Sequence, residues 1–246
     1  MHTTASHRSA ARRPALRGPA ILLAVPLLLA AVGAWAETGV RPVAETAAAD
    51  AAWELADRSG RGDAAVELFV ERAPTPGRPT FRLETGFDVP PSVARAALLE
   101  SMLDPGEAPR GQRREVLERT ADGAIVYTYI DLPLMLADRE VALRVVASSD
   151  AAADVHRIEW SEANELLPPA DPSVVRLTGA AGYWEFRPDG HGGTRAIHET
   201  RTELGGSFPV ALGDRLMRSQ AVESVESLRA RIARRDLRDV AAGPPR

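Results

Sequence analysis

The chain has 246 residues, with 30 Lys plus Arg against 34 Asp plus Glu, a formal net charge of −4 and no cysteine. An acidic balance leaves no basic surplus for neutralising phosphates, which argues against nucleic acid as a partner. Without cysteine the fold has neither disulfides nor thiolate metal sites, so its core must hold it together.

The first 36 residues read as an export signal. Arg8, Arg12, Arg13 and Arg17 make a positive n-region, Ile21 to Val32 a short apolar run, and Ala34-Trp35-Ala36 an A-x-A cleavage site. The apolar run carries Pro26 and is too short to span a bilayer comfortably. Cleavage after Ala36 and a secreted or periplasmic location are therefore expected. Cleavage removes four arginines and no acid, which takes the net charge from −4 to −8. His156, His191 and His198 are then the remaining histidines, and no two sit at ligand spacing on a predicted helix. Neither a metal nor a cofactor is expected.

Residues 37–50 form a polar lead-in. Overlapping its end, Ala47 to Arg58 is rich in Ala with Trp53 and Leu55 as anchors, which predicts a helix stopped by Gly60 and Gly62. Ala65 to Arg72 and Thr80 to Val89 read as a strand pair joined through Pro74, Pro76, Gly77 and Pro79. Pro90-Pro91-Ser92 opens a helix with Val93, Ala96, Ala97, Leu99 and Leu103 at helical spacing, ended by Asp104-Pro105-Gly106.

Strand patterns resume at Arg114 to Thr120, turn at Ala121-Asp122-Gly123, and continue through Ala124 to Leu132. Glu140 to Ser148, Val155 to Ala163, Val174 to Thr178, Gly182 to Arg187 and Thr194 to Leu204 complete about seven consecutive strands. From Pro209, Leu212, Leu216, Val222, Val225, Leu228 and Ile232 recur every three or four positions in one long amphipathic helix of about seven turns. Consecutive strands with short turns, covered by a long helix, make an antiparallel α+β layer architecture.

Several segments in this order carry a family resemblance. They are W-E-L-A-D-R-S-G from Trp53, F-D-V-P-P-S-V before the first clear helix, I-V-Y-T-Y-I-D-L-P from Ile125 and A-D-R-E-V from Ala137. V-V-R-L-T-G from Val174, G-Y-W-E-F-R-P and T-E-L-G-G-S-F-P follow. The chain resembles START domains, the lipid-transfer modules related to the steroidogenic acute regulatory protein, within the helix-grip (SRPBCC) superfamily. It departs in lacking a Trp shortly after Asp104 and in carrying Arg139-Glu140 where the family has Arg-Asp.

The resemblance implies a helix-grip fold over residues 51–238; residues 239–246 read by themselves as a disordered tail. A curved antiparallel sheet would wrap the C-terminal helix around a tunnel holding one lipid or other apolar molecule. The implied protein is a non-enzymatic, monomeric carrier with transient membrane contact. The alternative is a polyketide cyclase or aromatase of the same superfamily, with His198, Tyr127 and Tyr129 as its only candidates for proton chemistry.

Tyr127, Tyr129, Arg144, Trp184, His198, Thr200 and Thr202 are the expected cavity wall, with Leu212 and Leu216 facing them from the helix. On the last strand Arg195, Glu199, Arg201 and Glu203 share one face, while the other carries Ala196, His198, Thr200, Thr202 and Leu204. That second face suits either a cavity wall or a sealed core in which His198 and the threonines have internal partners. Arg144 is two-sided as well. Alternation sets it opposite Val141, Leu143 and Val145, whereas the resemblance allows an inward Arg paired with Asp131 or Glu185. Pro133, Leu134, Met135 and Leu136 form an apolar loop that either packs on the closing helix or gates the tunnel mouth. Asp189-Gly190-His191-Gly192-Gly193 is a glycine-rich turn, since no G-x-S-x-G nucleophile motif accompanies it.

Overall fold

The computed structural model describes residues 52–73, 78–132, 136–206 and 210–242, with the side chains of residues 210–214, 216–217 and 236–242 excepted. The export signal and the polar lead-in lie outside the described residues. Three strands come first: β1 (Trp53–Ser59), β2 (Val66–Glu71) and β3 (Thr80–Phe87). Helix α1 (Pro91–Leu103) follows, then β4 (Gln112–Arg119), β5 (Gly123–Ile130), β6 (Arg139–Asp150) and β7 (Val155–Glu162). After the short β8 (Val175–Arg176) come β9 (Thr178–Pro188), β10 (Thr194–Glu203) and helix α2 (Val210–Ala242).

The sheet runs β1-β2-β3-β10-β9-β7-β6-β5-β4, and β8 pairs in parallel with the start of β6. Every neighbour along that path is antiparallel. After β3 the chain crosses through α1 to the far edge at β4 and then works back strand by strand until β10 pairs with β3. This crossing lays α1 over the sheet face that α2 also covers, so both helices share one core.

One expected element is of the wrong type. Trp53–Ser59 is an edge strand, paired with β2 from Trp53↔Glu71 to Ser59↔Val66 and irregular between Leu55 and Asp57. Intrinsic helix preference is worth well under about 1 kcal/mol per residue, and the ladder to β2 outweighs it. The part of the predicted helix before Ala52 lies outside the described residues.

The other elements follow their sequence signals. On β3, Phe81, Leu83, Thr85 and Phe87 alternate with Thr80, Arg82, Glu84 and Gly86, and the first set faces the helices. Helix α1 begins with Pro91 at its first position, where a missing N–H costs nothing, and ends at Asp104, whose Oδ1 accepts the Gly106 amide at 2.9 Å. Ala94 and Ala97 are fully buried on its inner side, where only small residues let helix and sheet come together. Helix α2 spans 33 residues, about nine turns, and puts Ala221, Val225, Leu228 and Ile232 on one buried stripe. These meet Phe81, Leu83, Ala124, Val126, Val145, Ile158, Trp184 and Phe186 from the sheet.

Ion pairs hold α2 against α1. Arg231 reaches Glu100 at 3.5 Å and Glu107 at 3.2 Å, and Arg235 reaches Glu100 at 3.1 Å. A further anchor ties α2 to the sheet: Arg229 donates to the Ala64 carbonyl at 2.6 Å and to the Thr85 hydroxyl at 2.8 Å.

Candidate functional site

The inner face of the sheet, the C-terminal half of α1 and the middle of α2 enclose a groove of about 590 Å³. Its apolar surface comes from Leu98, Met102, Trp160, Trp184, Ala221 and Leu228. Polar groups from the same elements interrupt it, chiefly Ser101, Gln112, Arg114, His198, Thr200, Gln220 and Ser224. Arg110, Glu223, Ser227 and Arg234 are exposed at its margin, so the space is open to solvent rather than sealed.

Antiparallel register assembles the floor. His198 pairs with Trp184, which pairs with Ile158, while Thr200 pairs with Gly182, which pairs with Trp160. The imidazole stacks on the Trp184 indole with ring centroids 4.5 Å apart and planes 13° apart. Trp160 closes on the imidazole at 5.6 Å and 57°. Gly182 makes room for that indole: a Cβ there would lie 2.4 Å from Trp160 Cζ2 and 2.4 Å from the Glu199 carbonyl oxygen.

His198 has 8% of its surface exposed, and its Nδ1 is buried without a hydrogen-bond partner among the described residues. Burial pushes its pKa down to about 3, so the ring is neutral at physiological pH. Across the groove, the Gln112 amide meets Gln220 at 3.1 Å, which joins β4 to α2.

Of the residues expected to line the cavity, Trp184, His198 and Thr200 are brought together in this groove. Thr202 is buried near the end of β10, its hydroxyl without a partner among the described residues, and it does not line the groove. Leu212 and Leu216 lie outside the described side chains, and Pro133, Leu134 and Met135 outside the described residues. Leu136 is half-buried.

Tyr127, Tyr129 and Arg144 are a correction. On β5 and β6, Ala124, Val126 and Thr128 pair with Val145, Leu143 and Val141 on the core side, which leaves Tyr127, Tyr129, Arg144 and Glu140 on the other. Arg144 is exposed and reaches Glu165 at 3.5 Å, rather than Asp131 or Glu185. Tyr127 donates to Glu140 at 3.0 Å, and burial together with that carboxylate pushes its pKa up to about 12. Tyr129 donates to Asp138 at 2.7 Å, and that bond holds the Asp138 carboxyl below the usual carboxylate range.

These pairs bind β6 to its surroundings instead of facing the groove. Glu140 also takes the Arg176 guanidinium at 2.6 Å, which locks β8 beside β6. Arg139, by contrast, is buried and donates to the Leu204 carbonyl at 2.9 Å and to the Gly205 carbonyl at 3.3 Å. It thereby holds the chain where it leaves β10.

Residues not foreseen at the site are Trp160, Gln112, Arg114, Gln220 and Ser224. Arg114 shares the inner side of β4 with Gln112 and Val116, and its Nη1 donates to the Ser101 carbonyl at 2.6 Å. The alternation Gln112-Arg114-Val116 was a usable signal, but nothing in the sequence says which side of an edge strand faces the helices.

Among the described residues no group of three or more His, Asp or Glu is placed to hold a metal, and no helix is long and apolar enough to cross a membrane. No family model matches the chain, and no curated protein matches it either. Solved structures do. A fragment of a STAR-related lipid transfer protein from Xanthomonas axonopodis superposes with a TM-score of 0.61 at 16% identity, over 74% of this chain and 99% of that one. Human STARD10 gives 0.61 at 14% identity over 74% of each chain. Human StAR-related lipid transfer protein 5 gives 0.57 at 15% identity, over 78% of this chain and 93% of that one. With a long C-terminal helix laid across one face of an open antiparallel sheet whose strands run back from β4 to β3, the chain has the α+β helix-grip fold of the START domains.

Proposed function

We propose that the protein is an exported, non-enzymatic carrier that holds one lipid or other apolar molecule in the groove between its sheet and its C-terminal helix. The groove carries this reading: about 590 Å³ with an aromatic floor lies in the usual range of ligand pockets, about 300–1,000 Å³. Trp160 and Met102, both half-buried, offer apolar area for affinity over a floor backed by the packed Trp184 and Leu228, and the interspersed polar groups set orientation. The fold is that of proteins described as lipid transfer proteins. The N-terminal charge, apolar run and A-x-A pattern support export, and the acidic balance supports a partner other than nucleic acid.

Enzyme chemistry of the cyclase kind is poorly served here. A ring held neutral down to about pH 3 is mismatched to proton transfer near neutrality. Tyr127 and Tyr129, the other candidates, are committed to Glu140 and Asp138 on the far side of the sheet.

Mass spectrometry under native conditions tests the proposal on protein purified from an envelope fraction. The expected result is one unmodified amphiphile per chain, on a polypeptide beginning at Glu37. Ser227→Trp, which fills the groove from α2, should expel it while leaving the unfolding midpoint near that of the parent. A parent protein that neither carries nor takes up any amphiphile sinks the reading.

A further inference from the structure

Groove-lining charges do not cancel. Three arginines, Arg110, Arg114 and Arg234, face two acids, Glu107 and Glu223. Arg234 is matched by Glu107 at 3.3 Å, and Glu107 also accepts Arg231 at 3.2 Å, so that carboxylate is doubly engaged. Glu223 and Arg110 are exposed and solvated. What remains is Arg114, half-buried on the inner side of β4, with a neutral carbonyl as its described hydrogen-bond partner.

A guanidinium has five N–H donors in a planar fork, and the Ser101 carbonyl takes one of them. Asp104 acts on it electrostatically but makes no hydrogen bond to it, its Oδ1 accepting the Gly106 amide instead. A half-buried guanidinium with donors to spare can form charge-assisted bonds to an anion arriving in the groove. Beside it lie the Gln112 amide and Ser101, which suit oxygen-rich groups. The aromatic floor at Trp160 and Trp184 suits a hydrocarbon or ring body.

We propose that the ligand is an amphiphile with an anionic oxyacid head, and that Arg114 receives that head while the apolar body lies along Trp160 and Trp184. This rests on the carrier reading above and narrows it to a charge class. A phosphate and a carboxylate each present two oxygens that the planar fork of a guanidinium can bind in bidentate fashion.

The test is displacement of a fluorescent fatty-chain probe from the delipidated protein by four competitors: dioleoyl phosphatidic acid, oleic acid, dioleoylglycerol and inorganic phosphate. The acid-headed lipids should compete about tenfold or more better than dioleoylglycerol, as expected for a hydrogen bond to a charged group. Arg114→Met should narrow that ratio to near unity, and Arg114→Lys should keep part of it. Equal competition by charged and uncharged lipids in the parent protein overturns the charge assignment but leaves the carrier reading standing. Displacement by inorganic phosphate alone at comparable concentration overturns the amphiphile. Failure of every lipid to bind removes both readings. The parent ratios decide the matter even if a variant folds poorly.

Discussion

Acidification should destabilise this fold through His198 in a calculable way. Native His198 is neutral, with its pKa pushed down to about 3, while in the unfolded chain the ring titrates near the ordinary histidine value of 6.5. Below pH 6.5 the unfolded chain therefore gains a proton that the native protein refuses. The stability conferred by the neutral, stacked ring is complete above pH 6.5 and is lost progressively as the pH falls towards about 3. Each unit in that window costs about 1.4 kcal/mol, so about 2–3 kcal/mol should be gone at pH 4.5.

Carboxylates also titrate in acid, and a variant that lacks the ring cancels them. Urea unfolding of the parent and of His198→Gln at pH 7.5, 5.5 and 4.5 yields the difference between the two at each pH. That difference should shift in favour of the variant by about 2–3 kcal/mol between pH 7.5 and 4.5. Parallel stability curves, with a difference constant to within about 0.5 kcal/mol, would mean that the native ring is solvated and titrates normally. The stacked, desolvated floor described above would then be wrong.

Three further outcomes follow from packing and placement. Leu228→Ala removes a fully packed side chain from α2, and the urea midpoint should fall by the equivalent of about 2–5 kcal/mol; a cost under about 1 kcal/mol would mean that α2 is not seated on the sheet. Gly182→Ala forces a methyl against Trp160 and the Glu199 carbonyl, so a loss of about 1–3 kcal/mol should accompany a changed tryptophan emission, and an unperturbed spectrum contradicts the geometry. Arg144→Ala breaks an exposed pair with Glu165, so it should cost less than about 1 kcal/mol and leave ligand retention intact; loss of retention would return Arg144 to the cavity.

The contrast between β1 and α2 shows what sequence periodicity can and cannot carry. Helix α2 keeps Val225, Leu228 and Ile232 on a buried stripe, so its pattern and its environment agree. Strand β1 exposes every residue after Trp53, so no alternation records its pairing, and an Ala-rich composition points to helix instead. Parity within a strand was equally reliable: Val141, Leu143 and Val145 do lie opposite Arg144, as alternation requires. What parity leaves open is which side meets the helices. The inward Arg144 that the resemblance allowed is not what the structure shows, since the half-buried arginine on the groove side is Arg114 of β4.

That shift has a physical logic. In β6 the inward positions are Val141, Leu143 and Val145, which pack in the apolar clusters of the sheet. Strand β4 is the far edge, next to the end of α1, where the groove opens and a half-buried arginine can keep contact with water. A cation at the margin loses less hydration than one at the centre, yet it still faces the groove beside α2. The same edge position explains why the site was hard to read in advance. Its members come from β4, β7, β9, β10, α1 and α2, and only the crossing through α1 brings the first of these opposite the last.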